Sequence, residues 1–156
     1  MIIQQPPIIG VIGSGQCGSN IYRLATKVGE EIALRGAVLI CGGLGGVMEA
    51  AAQGAASTGG LTVGILPGPS TRSANPHIKL AVATDMGQAR NVIIAHTADG
   101  LVAVAGGAGT LSEIGHALKI GKPVVGLQTI PALKGVHYVD TAEEAVARVF
   151  ELINRA

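Results

Sequence analysis

Short runs of consecutive apolar residues alternate along the chain with longer stretches in which apolar positions recur every three or four residues. The run IIGVIG at 8–13 has no polar position on either face. Behind it, SNIYRLATKVGEEIALRG places Ile21, Leu24, Ala25, Val28 and Ile32 on one helical stripe, which Gly36 ends. The pattern repeats as a strand at 37–43, a helix at 47–57, strands at 61–68 and 78–84, a helix at 87–98, a strand at 100–107, a helix at 110–120 and a strand at 123–128. A short apolar segment at 136–139 precedes a last helix, 142–154, with Ala145, Val146, Val149, Phe150 and Ile153 on one side. The strands do not alternate polar with apolar, so both of their faces must be covered, as in parallel strands between two helical layers. The expectation is one doubly wound, three-layer α/β domain spanning 1–156, with a mostly parallel sheet and no internal boundary. Its longest polar loop is PSTRSANP, 69–76.

Composition sharpens this picture. With 156 residues, 48% of them hydrophobic, the chain can bury one genuine core. Tyr22, Tyr138 and Phe150 are its only aromatics, so that core is built from Val, Ile, Leu and Ala. A net charge of +1 gives no electrostatic reason to bind nucleic acid or an anionic membrane, and no aromatic platform is present for single-stranded bases. No apolar run reaches the roughly 18 residues of a membrane span, and MIIQQPP is no signal peptide. Cys17 and Cys41 stand outside any CxxC at the ends of apolar runs, which predicts buried free thiols in a reducing cytoplasm. Charged residues are 13%, against about a quarter in an ordinary soluble domain. The weakly charged surface this implies points to a homodimer or higher homo-oligomer.

Three glycine-rich turns follow strands and precede helices: GSGQCGS (13–19), GGLGGVM (42–48) and GGAGTLSE (106–113). In doubly wound sheets ligands bind at the carboxyl ends of strands, where strand order reverses. The first turn holds a GxGxxG at Gly13, Gly15 and Gly18, but the acidic residue a dinucleotide site needs about 20 positions on is missing. These glycines either contact a phosphate or ribose or simply let a helix start close to the sheet. In the third turn, successive glycines and a helix N-terminus make an anion site with no basic side chain required. Thr110 can add a hydroxyl to it or cap the helix. Thr110-x-x-Glu113 reads as a capping box, and so does Thr141-Ala-Glu-Glu144 before the last helix. Only Glu113 follows glycines at the end of a buried strand, which makes it a ligand-site candidate as well as a cap.

The order and spacing of GGLGGVM (42–48), DMGQARN (85–91) and GGAGTLSE (106–113) resemble the superfamily of the Lonely Guy proteins, nucleoside 5'-monophosphate phosphoribohydrolases also labelled lysine decarboxylase-like. GILPG, ANP, GQARN and GGAGTLSEI…KPV look like its compact DprA-related branch, which the molybdenum cofactor carrier proteins also resemble. The resemblance runs from the first strand to about residue 127 and implies a Rossmann-like domain. Family phosphate and ribose contacts would fall on Gly13, Ser14 and Gly15, on Gly43, Gly45 and Gly46, and on Gly107, Ala108, Gly109 and Thr110. Arg90 and Glu113 would be the catalytic pair. The chain departs from the hallmark PGGxGTxxE with Ala105 for the proline, and from DMHxRK with Gly87 for the histidine and Asn91 for the lysine.

What such a pair can do is concrete. Breaking a base–ribose bond builds oxocarbenium-like charge, which an ionised carboxylate stabilises, and a helix N-terminus favours that ionised form. Arg90, among Met86, Ala89, Val92, Ile93 and Ile94, can clamp a phosphate, pair with Glu113, or lie on the surface with its stem along the apolar face. His116, three residues after Glu113, can face the same side and bond to it. His77 and His96 lack partners at metal-ligand spacing, no lysine sits in a Schiff-base context, and no cofactor or metal is expected. Arg72, Ser70, Thr71, Ser73 and Asn75 either cover a ligand or merely connect. Two functions follow: hydrolysis of a nucleoside 5'-monophosphate to base and ribose 5-phosphate, or a non-catalytic carrier or sensor of a nucleotide-like or molybdopterin ligand. Both take a phosphorylated small molecule as partner.

Overall fold

Because the strand Ile8–Gly13 (β1) is apolar on both faces, it lies at the middle of the sheet and the rest of the chain wraps around it. The structure, a computed structural model, describes residues 4–155; Met1 to Ile3, where the stretch read for a signal peptide begins, and Ala156 lie outside the described residues. The elements run β1 (Ile8–Gly13), α1 (Ser19–Leu34), β2 (Val38–Cys41), α2 (Val47–Ser57), β3 (Thr62–Leu66), β4 (Leu80–Ala83), α3 (Arg90–Thr97), β5 (Gly100–Val104), α4 (Ala108–Lys119), β6 (Val124–Leu127), β7 (Val136–Val139) and α5 (Ala142–Asn154). All strand pairs are parallel, in the order β4-β3-β2-β1-β5-β6-β7. The chain builds outward from β1 to β4, then returns to lay β5 on the free flank of β1, with Ile9 to Gly13 paired to Gly100 to Val104. Strand order therefore reverses between β1 and β5, and a crevice opens at their carboxyl ends.

Successive side chains point to opposite faces and fill two cores. Ile9, Val11, Leu39, Cys41, Val102, Val104, Val125 and Leu127 pack under α1, α2 and α5. Ile12, Ile40, Leu101, Ala103 and Val124 pack under α3 and α4. The expected three-layer, Rossmann-like domain is what the chain forms.

The structure corrects the sequence reading at several points. The segment at 136–139 is a strand, and it pairs with β6 through Val124↔Val136 to Leu127↔Val139. The helix expected over 87–98 opens as a 3-10 turn at Gly87–Ala89 and becomes α-helical only over Arg90–Thr97. At the sheet edge β4 is not covered on both faces: Leu80 is 52% and Val82 40% exposed. Cys41 is buried as expected, whereas Cys17 is only half-buried; both thiols are free. The capping box at Thr141 forms, Thr141 accepting from the Glu144 N–H at 3.1 Å while Glu144 accepts from the Asp140 N–H at 3.2 Å. The one at Thr110 does not. Helix α4 starts at Ala108 with Gly107 as its N-cap, which puts Thr110 inside the first turn and Glu113 in the second.

Candidate functional site

The three glycine-rich turns meet at the strand-order reversal, and they interlock. The Val47 N–H donates to the Ser14 carbonyl at 3.0 Å, tying the start of α2 to the turn after β1. Gly46 has φ +64, and a Cβ there would lie 2.3 Å from the Ser14 oxygen, so no side chain fits between the two turns. Gly106, φ +101, is the counterpart after β5: a Cβ would stand 2.1 Å from Thr110 Oγ1. That contact folds the first turn of α4 back over the strand end and buries Thr110 to 3% exposure. Gly107 and Gly109 differ, since a Cβ at either would meet nothing within 4 Å. They face open space, beside the unpaired N–H groups of the first turn of α4.

Arg90 is held with unusual firmness for an arginine. It opens α3, is 5% exposed, and donates from Nε to the Ile65 carbonyl at 2.8 Å and from Nη2 to the Gly42 carbonyl at 3.3 Å. Nη1 bonds to Asn91 Oδ1. The carboxyl ends of β2 and β3 thus fix the guanidinium, and the surface placement is ruled out. Gly42 makes the room, because a Cβ there would be 2.6 Å from Nη2. A guanidinium has five N–H groups, so two of them have no partner among the described residues. Burial lowers the Arg90 pKa, with the negative fields of Glu113 and Cys41 opposing.

Glu113 does not bond to Arg90, whose hydrogen bonds go to backbone and Asn91; the two interact through their fields. Burial pushes the Glu113 carboxyl up to about 7, against the pull of Arg90. The sequence suggested the reverse, an acid kept ionised by a helix N-terminus. That field fades beyond the first turn, and Glu113 lies in the second, where loss of water governs.

Two contiguous lobes result. The first, about 390 Å³, is walled by Gly13, Ser14, Gly15, Gly107, Ala108, Gly109 and Thr110, with Arg90 and Glu113 inside it. Gly43, Gly45 and Gly46 do not line it; they brace the wall from behind, and Leu44 and Met48 of that turn reach the cleft instead. The second lobe, about 480 Å³, continues past Glu113 between α3 and α4, walled by Gln88, Asn91, Val92, Ser112 and His116. Glu113, Gln88, Asn91, Ala108 and Gly109 border both. Gln88 and Asn91 were not singled out as contacts in the sequence, although both sit in DMGQARN, three residues apart and so on one helical face. Ser112 carried no signal of its own.

The loop candidates fall outside both lobes, whereas His116 does not. The 69–76 loop docks through Asn75, whose Nδ2 donates to the Leu44 carbonyl at 2.8 Å, while Arg72 borders neither lobe. His116 shares the second lobe with Glu113 without bonding to it; its ring meets His96 edge-on at 5.7 Å, and its Nε2 is buried with no partner among the described residues. A separate groove of about 430 Å³ between β7 and α5 contains none of the predicted site residues. Among the described residues no three His, Cys, Asp or Glu side chains converge on a metal position, and no helix is long and apolar enough to cross a membrane.

The whole chain has close relatives. It is 54% identical over 138 residues to an uncharacterised protein of Archaeoglobus fulgidus, covering 88% of this chain and 91% of that one. It is similar to the solved molybdenum cofactor binding protein of the phototrophic bacterium Rippkaea orientalis, with TM-score 0.91 and 36% identity over 97% of this chain and 99% of the other. The molybdenum cofactor carrier protein of Chlamydomonas reinhardtii superposes with TM-score 0.89 at 38% identity, covering 96% and 99%. Residues 6–152, nearly the entire length, match the SLOG cluster4 family, and the protein belongs to that family.

Proposed function

We propose that the cleft holds a phosphorylated small molecule of nucleotide-like or molybdopterin type, as a carrier or sensor rather than as a catalyst. One observation carries this: a buried arginine, fixed by the backbone of two strand ends and with two N–H groups unpartnered among the described residues, lines a lobe whose glycines leave the backbone bare. Such a lobe is built for a phosphate. The solved relatives are named for binding and carrying the molybdenum cofactor, which supports a ligand of that shape. Supporting it are Gly107 to Thr110 and Arg90, which line the first lobe together, and the volume of the second lobe, which has room for a ring system. A metal carried by such a ligand would be held by the ligand's own atoms.

The phosphoribohydrolase reading rests on Glu113, which stands five residues past Ala108, about 7.5 Å along α4 and so beyond the phosphate, level with a sugar. Against it stand a carboxyl that is half protonated near neutrality and the three departures from the family motifs at Ala105, Gly87 and Asn91. Native mass spectrometry of the purified protein tests the two: a bound phosphorylated ligand that survives incubation intact supports the carrier. Release of ribose 5-phosphate from a nucleoside monophosphate, lost in Glu113→Gln, would establish the hydrolase instead.

The chain also assembles, in this proposal, as a homo-oligomer. Leu80, Val82 and Met86 on and beyond β4 are exposed apolar residues that a second copy would cover.

A further inference from the structure

We propose that Thr129, on the loop after β6, is a positioning residue for the phosphate lobe: its hydroxyl holds the Ala105–Gly106 peptide in the orientation from which the turn into α4 starts. The inference rests on the phosphate reading of the first lobe and names what sets the shape of that lobe's glycine wall.

The turn needs holding. Ala105 has φ +50, a region costly for a side chain with a Cβ. Gly106, Gly107 and Gly109 follow it, and glycine backbone left to itself samples many conformations. Two hydrogen bonds on the β6 side fix Ala105. Its N–H donates to the Leu127 carbonyl at 3.1 Å, which extends the ladder begun where the Leu101 N–H donates to the Pro123 carbonyl at 2.9 Å. Its carbonyl accepts from Thr129 Oγ1 at 2.6 Å and has no other partner among the described residues.

That second bond decides the direction of the next peptide. A peptide unit is planar, with its N–H opposite its C=O. Turning the Ala105 carbonyl to Thr129 therefore turns the Gly106 N–H toward the β1 flank, where the crevice opens. This N–H has no hydrogen-bond partner among the described residues. Gly106 then meets Thr110 closely, and Gly107 to Thr110 enter the wall of the lobe.

Thr129 is itself held. A Cβ on Gly126 would stand 3.0 Å from Thr129 Cγ2 and 2.9 Å from Tyr138 Cδ1, so methyl and ring lie side by side over that glycine. The Tyr138 hydroxyl donates to the Ile130 carbonyl at 2.5 Å and accepts from the Leu133 N–H at 2.9 Å, which ties down the loop that carries Thr129. No motif marks this threonine, because the carbonyl it serves lies 24 residues away in the chain.

Calorimetric titration of the full chain with ribose 5-phosphate tests the assignment, with a melting temperature recorded for every variant. Thr129→Val keeps the methyl and the shape but removes the donor, and should weaken binding about tenfold. Because Thr129 is only half-buried, this variant should still fold. Thr129→Ser restores the donor and should bind within about threefold of wild type despite the lost methyl. A role in stability alone would make affinity follow melting temperature instead of the hydroxyl. In an Ala105→Gly chain, where φ +50 carries no Cβ cost, adding Thr129→Val should cost less than about threefold. A full tenfold loss there would show that the hydroxyl does not act through Ala105, and would overturn the inference. Wild-type affinity in Thr129→Val, or a Thr129→Ser protein no better than Thr129→Val, would remove the positioning role and leave the phosphate lobe standing. If the wild-type chain binds no ribose 5-phosphate, the phosphate reading falls and this inference with it.

Discussion

Arg90 and Glu113 carry opposite costs that a bound ligand would relieve. Arg90 is buried but bonded, so removing it leaves the Ile65 and Gly42 carbonyls without their donor. Arg90→Met should lower stability by about 1–3 kcal/mol in chemical denaturation, and abolish binding of ribose 5-phosphate. Arg90→Lys gathers its three donors on one nitrogen, cannot reach acceptors spread around three guanidinium nitrogens, and should rescue neither property fully. Glu113 is half-buried with no hydrogen-bond partner among the described residues, in the field of Arg90 on α3 and with His116 on its own helix. Its raised pKa means that the folded chain keeps a proton the unfolded chain has released, from the ordinary carboxylate range up to about 7. Stability from this group is therefore full below that window and lost as pH rises through it. Glu113→Gln should raise Tm by about 2–8 °C above neutrality and change it little in acid, a gain of about 1–2 kcal/mol. Equal Tm shifts at both pH values would refute this account of Glu113. The sequence made both residues visible through their motifs and left their environments open, because burial depends on what the other strands bring to the same end of the sheet.

At the level of elements, the carboxyl ends of the strands are where local rules are broken. Asp85, Ala105 and Gln128, which follow β4, β5 and β6, all have φ near +50, a region costly for side chains with a Cβ. Ala105 is the telling case, since it replaces the proline of the family hallmark. Proline cannot adopt φ +50 and has no N–H, whereas the Ala105 N–H donates to the Leu127 carbonyl at 3.1 Å and its carbonyl accepts from Thr129 Oγ1 at 2.6 Å. The chain thus leaves β5 by a different path from a PGG turn. Ala105→Gly should stabilise by up to about 1 kcal/mol, and Ala105→Pro should cost about 3 kcal/mol or more, both readable from urea denaturation midpoints. A stable Ala105→Pro protein would show that the turn accepts the family path after all. Apolar runs and helical stripes made the existence and order of most elements legible. They did not show where α4 begins, because Thr110-x-x-Glu113 satisfies a capping pattern that the glycine turn pre-empts two residues earlier. Nor did they mark Val136–Val139 as a strand, four residues that become one only by pairing with β6.

For the molecule as a whole, the topology explains why one cleft gathers everything. Reversal of strand order beside β1 brings turns from distant parts of the chain to one spot, and two core layers leave α3 and α4 free to line its second half. The same economy leaves the β4 edge bare. Leu80 at 52%, Val82 at 40%, Met86 at 49% and Leu61 at 44% exposure lie on or beside this margin, on a chain that is only 13% charged. An apolar edge strand with free backbone groups invites another strand, and natural proteins cover it or pair it. A second copy can do both through a two-fold axis, because the same patch then serves each partner. Light scattering coupled to size exclusion should accordingly give at least twice the 15.6 kDa chain mass. Val82→Lys sets like charges against each other across such an axis and should return the chain mass, with its circular dichroism unchanged because Val82 is half outside the core already. A wild-type protein that elutes at the mass of one chain at micromolar concentration would remove the β4 edge as an interface. It would leave the cleft untouched, since no residue of β4 lines either lobe.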